Sequence, residues 1–438
     1  MGSLLTAVRR VGASVFITDE TRAGIVGWVV MVAGAISLSV VIGFRASTTP
    51  ITTTVWAEDG REFLAGAVRD GVLGHLFAAY AGYAHLLPRL LAGFASGAPV
   101  EAEAAVLAVM SCATTGILGV FCARASAPHI TTPVGRAGYA ATFALLPVLA
   151  IEVLGNLANL HWFLFVGAFW ALVWRPTSKA GVVASCCVIV LAVLSDPLVL
   201  LLVPLGVWRA VCLATFRERL VVYALALGGV LQVWVVTHAV GPSGELALSS
   251  LPRLFAQRIV LVSLLGVRAT TNLIDALGDS RADLLAVVAV VVLGWGVWRT
   301  YRHVPWFAVT AAAFASALFA SCLAVRGGSG EVVFGAIEGG SRYSVAPLLL
   351  LAGPMIAVVE RWRRAFQVGV VCVAALVSFV DLRPHNLRAG DLTWARGVAI
   401  ARTECRAGMD PARIPILPVT PNDEWQMVVP CSYVQPRK

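Results

Sequence analysis

The chain of 438 residues is 59% hydrophobic and only 13% charged, with a mean hydropathy of +0.84, whereas a soluble domain carries roughly 25% charged residues. These proportions exclude an ordinary soluble enzyme and define an all-α polytopic integral membrane protein. The formal net charge of +9 does not indicate a nucleic-acid binder, because the basic residues sit between apolar runs and no basic helix is interleaved with aromatics.

In chain order, a short N-terminal stretch holding Arg9, Arg10, Asp19, Glu20 and Arg22 precedes the first apolar run. That run lacks a small-residue cleavage site and is expected to remain as a span. Stretches long enough to cross a bilayer fall near 24–44, 102–122, 137–154, 159–174, 180–195, 197–209, 220–240, 283–298, 304–325, 344–360 and 365–381. About eleven transmembrane helices are therefore expected. With the N-terminus in the cytoplasm, every inner connection is basic: Arg124 and Arg136, Arg175 and Lys179, Arg209, Arg217 and Arg219, Arg299 and Arg302, then Arg361, Arg363 and Arg364. The short outer turns at 155–158 and at 196 have no Lys or Arg. The positive-inside bias thus keeps the N-terminus cytoplasmic and places the C-terminus outside.

Two units follow. Residues 1–382 form the membrane domain, with a first outer loop at about 45–100 and a later one at about 241–282. Residues 383–438 form a small extracytoplasmic segment. The first outer loop carries amphipathic runs at 63–68, 72–77 and 80–89, and the later one a run at 251–261, all suited to helices lying in the interface. The C-terminal segment is polar and proline-punctuated, and its Cys405 and Cys431 are able to bridge in an oxidising compartment. The other seven cysteines lack the paired spacing of a zinc site. There is no P-loop, dinucleotide fingerprint or fixed repeat, so a nucleotide-driven pump has no support.

Chemistry concentrates at Trp56-Ala57-Glu58-Asp59-Gly60-Arg61-Glu62-Phe63, directly after the first span. Adjacent carboxylates beside an arginine and a freely turning glycine suit an active site at a membrane edge. Arg342, in Gly340-Ser341-Arg342-Tyr343 at the mouth of the tenth span, is the first candidate for binding a phosphate, with His85, Arg89 and Arg258 behind it. The plainer role for each arginine is a headgroup anchor. In the turn from Glu152 to Trp162, Asn156, Asn159 and His161 need polar partners, supplied either by the turn itself or by a ligand. Asp196, alone between two apolar runs, either caps the helix opened by Pro197 or contacts a sugar or a metal ion. Tyr83 and Tyr343 are the aromatic candidates for sugar contact. His75 and His238 read as structural, and Glu331 and Glu338 lie in a glycine-rich outer loop suited to covering bound substrate.

An acidic first outer loop, interfacial helices behind it and about eleven spans resemble the GT-C superfamily of glycosyltransferases. In branches such as the protein mannosyltransferases and the lipid A aminoarabinose transferases, that loop carries an Asp followed four residues later by Phe or Tyr, often as Asp-Glu with a basic residue between. Asp59 and Phe63 match that spacing and Arg61 supplies the basic residue, but the second acid, Glu58, precedes the Asp here. The resemblance implies a sugar donor linked to polyprenyl phosphate, an envelope glycan, lipid or protein as acceptor, and Asp59 as the general base with Glu58 in reserve. It implies no fixed cofactor. A divalent cation, used by some members, would find oxygen ligands in Glu58, Asp59 and Asp196, but the spacing assigns no metal. Richness in Ala, Val, Gly and Arg points to the plasma membrane of a bacterium with mannosylated or arabinosylated glycans. The alternatives are a transporter or flippase of a lipid-linked saccharide, expected to hold ionisable groups near mid-span, and a surface-polysaccharide polymerase or ligase.

Overall fold

The computed structural model describes residues 2–20, 24–239, 250–300, 306–326, 340–383, 388–419 and 425–435. The fold is organised around Leu160–Val173, a helix in which every residue is buried. An all-round apolar sequence has no polar face to show to water, so it takes the centre of a bundle. Around it pack Glu103–Ala125, Lys179–Val193 and Arg342–Val359. The periphery shows the opposite pattern. Ile25–Arg45 buries only Ile42 and Arg45, and its outward face carries Ile25, Val26, Val30 and Val40. Such surface is stable against hydrocarbon and not against water.

Each apolar stretch expected from the sequence contains helix among the described residues, the third broken at 146–148. Six helices among the described residues are long and apolar enough to cross a membrane: Ile25–Arg45, Val100–Ala125, Pro133–Glu152, Phe216–His238, Trp306–Ala324 and Arg342–Val359. Leu160–Val173, Lys179–Val193, Pro197–Cys212 and Arg364–Val380 are shorter, and the eighth stretch lies within Asp279–Thr300. Among the described residues the protein is thus mostly helical, with six candidate spans and little sheet.

The two ends of the central helix differ in character. Asn159 precedes its first residue, and Trp174 and Arg175 follow its last, about 21 Å away for a helix of this length. The Arg175 end is where the basic connections collect. Arg175 pairs with Glu218, Arg124 with Asp19, and the Arg209 guanidinium binds the carbonyls of Leu172 and Trp174. At this end the chain also begins, in a helix the apolar pattern did not anticipate, Gly2–Val15. Thr18–Asp19 then pairs in parallel with Arg175–Pro176.

At the Asn159 end lie the two long connections. The first opens as a π-helical turn, Asp59–Leu64, that continues into Ala65–His75 and, after a reversal, Leu86–Ala95. The later one holds Leu251–Phe255, a second π-helical turn at Ala256–Leu261, Val262–Leu265 and Val267–Leu277. Glu331 and Glu338 lie outside the described residues.

The C-terminal segment forms the helix Trp394–Arg406 and an antiparallel pair, Ala412–Pro415 with Gln426–Val429. Cys405 and Cys431 are bridged, their Cα atoms 5.6 Å apart. The segment packs on the first long connection. Ala57 N donates to Leu417 O (2.5 Å) and Leu417 N to Val55 O (3.2 Å), while Trp394 Nε1 donates to Val100 O (2.5 Å).

Candidate active site

The strand-like pairing with Leu417 ends at Ala57, whose φ of +26° lies where a residue with a Cβ is strained. That turn throws the chain directly into the π-helical segment. Ala81, at φ +51°, is the other non-glycine residue with positive φ among the described residues, and it sits in the reversal that pairs Tyr80 with Tyr83. Both flank one cavity. Strained backbone and π-helical turns concentrate at functional sites because only the surrounding structure holds them in place.

The cavity has a volume of about 360 Å³. Its polar wall is made by Glu58, Asn159, His161, Asp196 and Arg342, its aromatic wall by Phe63, Tyr80, Tyr83, His85, Trp162 and Tyr343. Leu198, Val236, Ala239 and Cys322 close the remaining side with apolar atoms. Stretches far apart in sequence therefore meet at the end of the bundle opposite the basic connections. Tyr83 stacks on His85 with centroids 4.1 Å apart, and Phe63 and Tyr80 lie 5.5 Å from the same imidazole. His85 Nδ1 stands 3.2 Å from the carbonyl of Tyr83.

The two adjacent acids part company. Glu58 is half-buried and lines the cavity, whereas Asp59 is 2% exposed and is absent from the cavity wall. Both Asp59 oxygens are occupied, accepting the backbone amides of Leu157 (2.8 Å) and Ala158 (2.9 Å). Asp59, the sequence's first choice as base, thus ties the first loop to the 155–160 turn, and Glu58 is the acid that faces the cavity. Burial pushes the Asp59 carboxyl up to about 7, against the pull of those amides and of Arg388. Burial likewise raises the Glu58 carboxyl above the usual range, with its own backbone amide and Arg342 pulling the other way.

The turn is built from its own amides. Asn156 Nδ2 and Asn159 Nδ2 both donate to the Glu152 carbonyl (2.7 and 3.1 Å), Asn156 Oδ1 accepts from Asn159 N, and Asn159 Oδ1 accepts from Trp162 Nε1. Asn156 is consumed in this network and does not reach the cavity. Asn159 and His161 do, and His161 Nδ1 donates to Ala158 O (2.6 Å). Asp196 takes the capping role, and its second oxygen is left over. One oxygen caps the following helix by accepting Leu198 N (2.8 Å), and Oδ2 is buried without a hydrogen-bond partner among the described residues.

Arg342 lines the cavity at the start of its span, held by the Glu152 carboxylate and lying over the Tyr343 ring. The other two arginines do not reach the cavity. Arg89 lies over the Phe63 ring from behind, its centre 5.5 Å from the centroid. Arg258 is buried in the second π-helical turn, within electrostatic reach of Glu152. Among the described residues no cluster of three or more His, Cys, Asp or Glu is arranged to hold a metal ion.

Two residues that organise the site carried no role in the sequence reading. Glu152 had a usable signal, since a carboxylate at the end of an apolar run must be paired. Arg388 had none. From the C-terminal segment it binds Gly155 O (2.7 Å), Thr54 Oγ1 (3.2 Å) and Thr54 O (3.3 Å). Compared with protein-family models, with curated proteins and with solved structures, the chain matches none.

Proposed function

We propose that the protein is a membrane glycosyltransferase of the GT-C kind, moving a sugar from a polyprenyl-phosphate donor to a hydroxyl of an envelope glycan, glycolipid or protein. The observation that carries this reading is the meeting of a raised carboxylate, a guanidinium and a ring of aromatics in one cavity at the end of the bundle away from the basic connections. By the positive-inside bias that end faces outward, where a lipid-linked donor removes any need for a nucleotide.

In this reading Glu58 takes the proton of the acceptor hydroxyl as its oxygen attacks the anomeric carbon. The bond from that carbon to the phosphate oxygen breaks, and the negative charge gained by the departing polyprenyl phosphate is met by Arg342. Tyr83, Tyr343 and Trp162 offer faces for the sugar ring. Asp196 Oδ2 and Asn159 offer an acceptor and a donor for its hydroxyls, and a sugar hydroxyl would satisfy the buried oxygen of Asp196. Asp59 and Asn156 set the position of the turn.

The test is transfer by the reconstituted protein from radiolabelled polyprenyl-phosphate mannose and polyprenyl-phosphate arabinofuranose. Consumption of either donor, reduced at least about 100-fold in Glu58→Gln, is the expected result for loss of a general base. Failure to consume either would remove the proposed donor class, and an undiminished rate in Glu58→Gln would remove the mechanism.

A further inference from the structure

A second cavity, of about 220 Å³, lies at the basic end of the bundle, and nothing in the glycosyl-transfer reading uses it. Its walls include Arg9, Gly12, Phe16, Thr18, Arg175 and Leu213. It exists because the N-terminal helix Gly2–Val15 lies across Val203–Cys212. Val8, Gly12 and Val15, one face at helical spacing, turn toward the bundle. A Cβ on Gly12 would stand 2.3 Å from the Cys212 sulfur, so only glycine permits this approach. Phe16 meets Trp208 edge-on with centroids 5.2 Å apart, and Trp208 Nε1 donates to Val8 O (3.4 Å).

The two arginines stand on different elements. Arg9 comes from the exposed face of the N-terminal helix, and Arg175 from the short strand paired with Thr18. Arg175 is steadied by Glu218. Of the carboxylates nearby, Asp19 is engaged by Arg124 and Trp174 and Glu218 by Arg175 and Thr215, while Glu20, two residues past Thr18, is exposed. Arg10 on the N-terminal helix and Arg217 and Arg219 at the start of Phe216–His238 leave the surroundings positive on balance.

We infer that this cavity binds a phosphate group between Arg9 and Arg175, borne by the headgroup of an anionic lipid or free in solution. Guanidinium forks match phosphate oxygens better than a point charge does. An amphipathic helix docked beside the spans with its arginines outward also belongs at a headgroup boundary. The site is separate from the catalytic cavity, at the far end of the central helix, and stands whether or not that cavity transfers sugar.

The experiment is thermal unfolding of the full chain in an uncharged detergent, followed by tryptophan fluorescence during titration with dioleoylphosphatidylglycerol, dioleoylphosphatidylcholine or sodium phosphate. A saturable rise in Tm with phosphatidylglycerol alone identifies a lipid-borne phosphate, and an equal rise with sodium phosphate identifies the free anion. Arg9→Gln, at an exposed position, should raise the half-saturating concentration roughly tenfold, the worth of one charge-assisted hydrogen bond. Lys179→Gln removes the same charge from the same end without touching the cavity, and should change it by less than about twofold. The inference is overturned if neither phosphate source gives a saturable shift, if phosphatidylcholine acts as strongly as phosphatidylglycerol, or if Lys179→Gln weakens binding as much as Arg9→Gln.

Discussion

Glu152 holds Arg342 at two points. One carboxylate oxygen accepts the Arg342 backbone amide (3.1 Å) and the other its guanidinium (3.4 Å). The same residue's carbonyl accepts both asparagine side chains of the turn. A single acid at the end of Leu149–Glu152 therefore fixes the arginine on one side of the cavity and the Asn159–His161 turn on the other. Its side chain is far more buried than that of Arg342, so the acid is the fixed partner and the guanidinium the one that reaches outward.

Glu152→Gln keeps the shape and removes the charge. The Arg342 guanidinium then loses its orienting partner while the backbone bonds of the turn survive. Donor KM is expected to rise roughly tenfold, in line with one charged hydrogen bond, with a smaller change in kcat. Steady-state kinetics on whichever donor the transfer assay shows to be consumed checks this. An unchanged KM would show that Arg342 does not meet the donor phosphate.

As the proposed general base, Glu58 sets the expected pH profile. A general base acts when ionised, and burial raises the folded-state pKa of Glu58 above the ordinary glutamate value. Activity should therefore fall as pH drops through a midpoint above the usual carboxylate range, and remain on the alkaline side of it. The residual activity of Glu58→Gln should lack that acidic limb. A limb that persists in Glu58→Gln would assign the titration to another group.

Asp59 makes its mark on stability. Its folded-state pKa, about 7, lies above the ordinary value of 3.8, so between these values the folded protein binds more protons than the unfolded chain. Stability contributed by the protonated group is complete below the lower value and is lost as pH rises through the upper one. Chemical denaturation from pH 4 to pH 7 should show the wild type losing stability relative to Asp59→Asn over that window. Asp59→Asn should itself be less stable at low pH by about 1–3 kcal/mol, since its amide nitrogen faces a backbone N–H. Parallel pH profiles for the two proteins would contradict the raised value.

The apolar stretches, the basic end and the polar side of the cavity wall were legible in the sequence, because each carries a local signal: length, loop charge, or a polar group stranded beside hydrocarbon. Glu58 and Asp59 were not separable in that way. Adjacent residues on a helical turn point about 100° apart, so only one of the pair faces the cavity, and the phase is set by the positive φ of Ala57. The N-terminal helix escaped notice because it has an amphipathic face and no long apolar run. The packing of the C-terminal segment on the first loop joins Thr54 to Arg388 across 334 residues, and no spacing rule reaches that far.

The bridge between Cys405 and Cys431 closes a loop across the C-terminal segment. Intact-mass analysis after alkylation, with and without reductant, should show two further thiols only in the reduced protein. Replacing both cysteines by serine should lower stability by about 2–4 kcal/mol. Equal masses under the two conditions would mean that the pair is not bridged.

Arg388 provides the sharpest test of how the site is assembled. It is 5% exposed, and its guanidinium joins Thr54, ahead of Glu58, to Gly155, ahead of Asn159. Asp59 joins the same two stretches by accepting Leu157 N and Ala158 N, so two clamps hold one junction. Gly155, at φ +73°, is wedged against Ile51 and Ala46, which leave no room for a side chain there. Arg388→Lys keeps the charge but loses the planar fork that serves several acceptors at once, and should lower stability by about 1–3 kcal/mol. With the junction loosened, Glu58 and Asn159 lose their mutual register, so kcat should fall while donor KM, governed by Arg342 from another element, changes little. A fall in stability with kcat unchanged would reduce Arg388 to a scaffold contact, and a rise in KM alone would place it nearer the donor than the geometry allows.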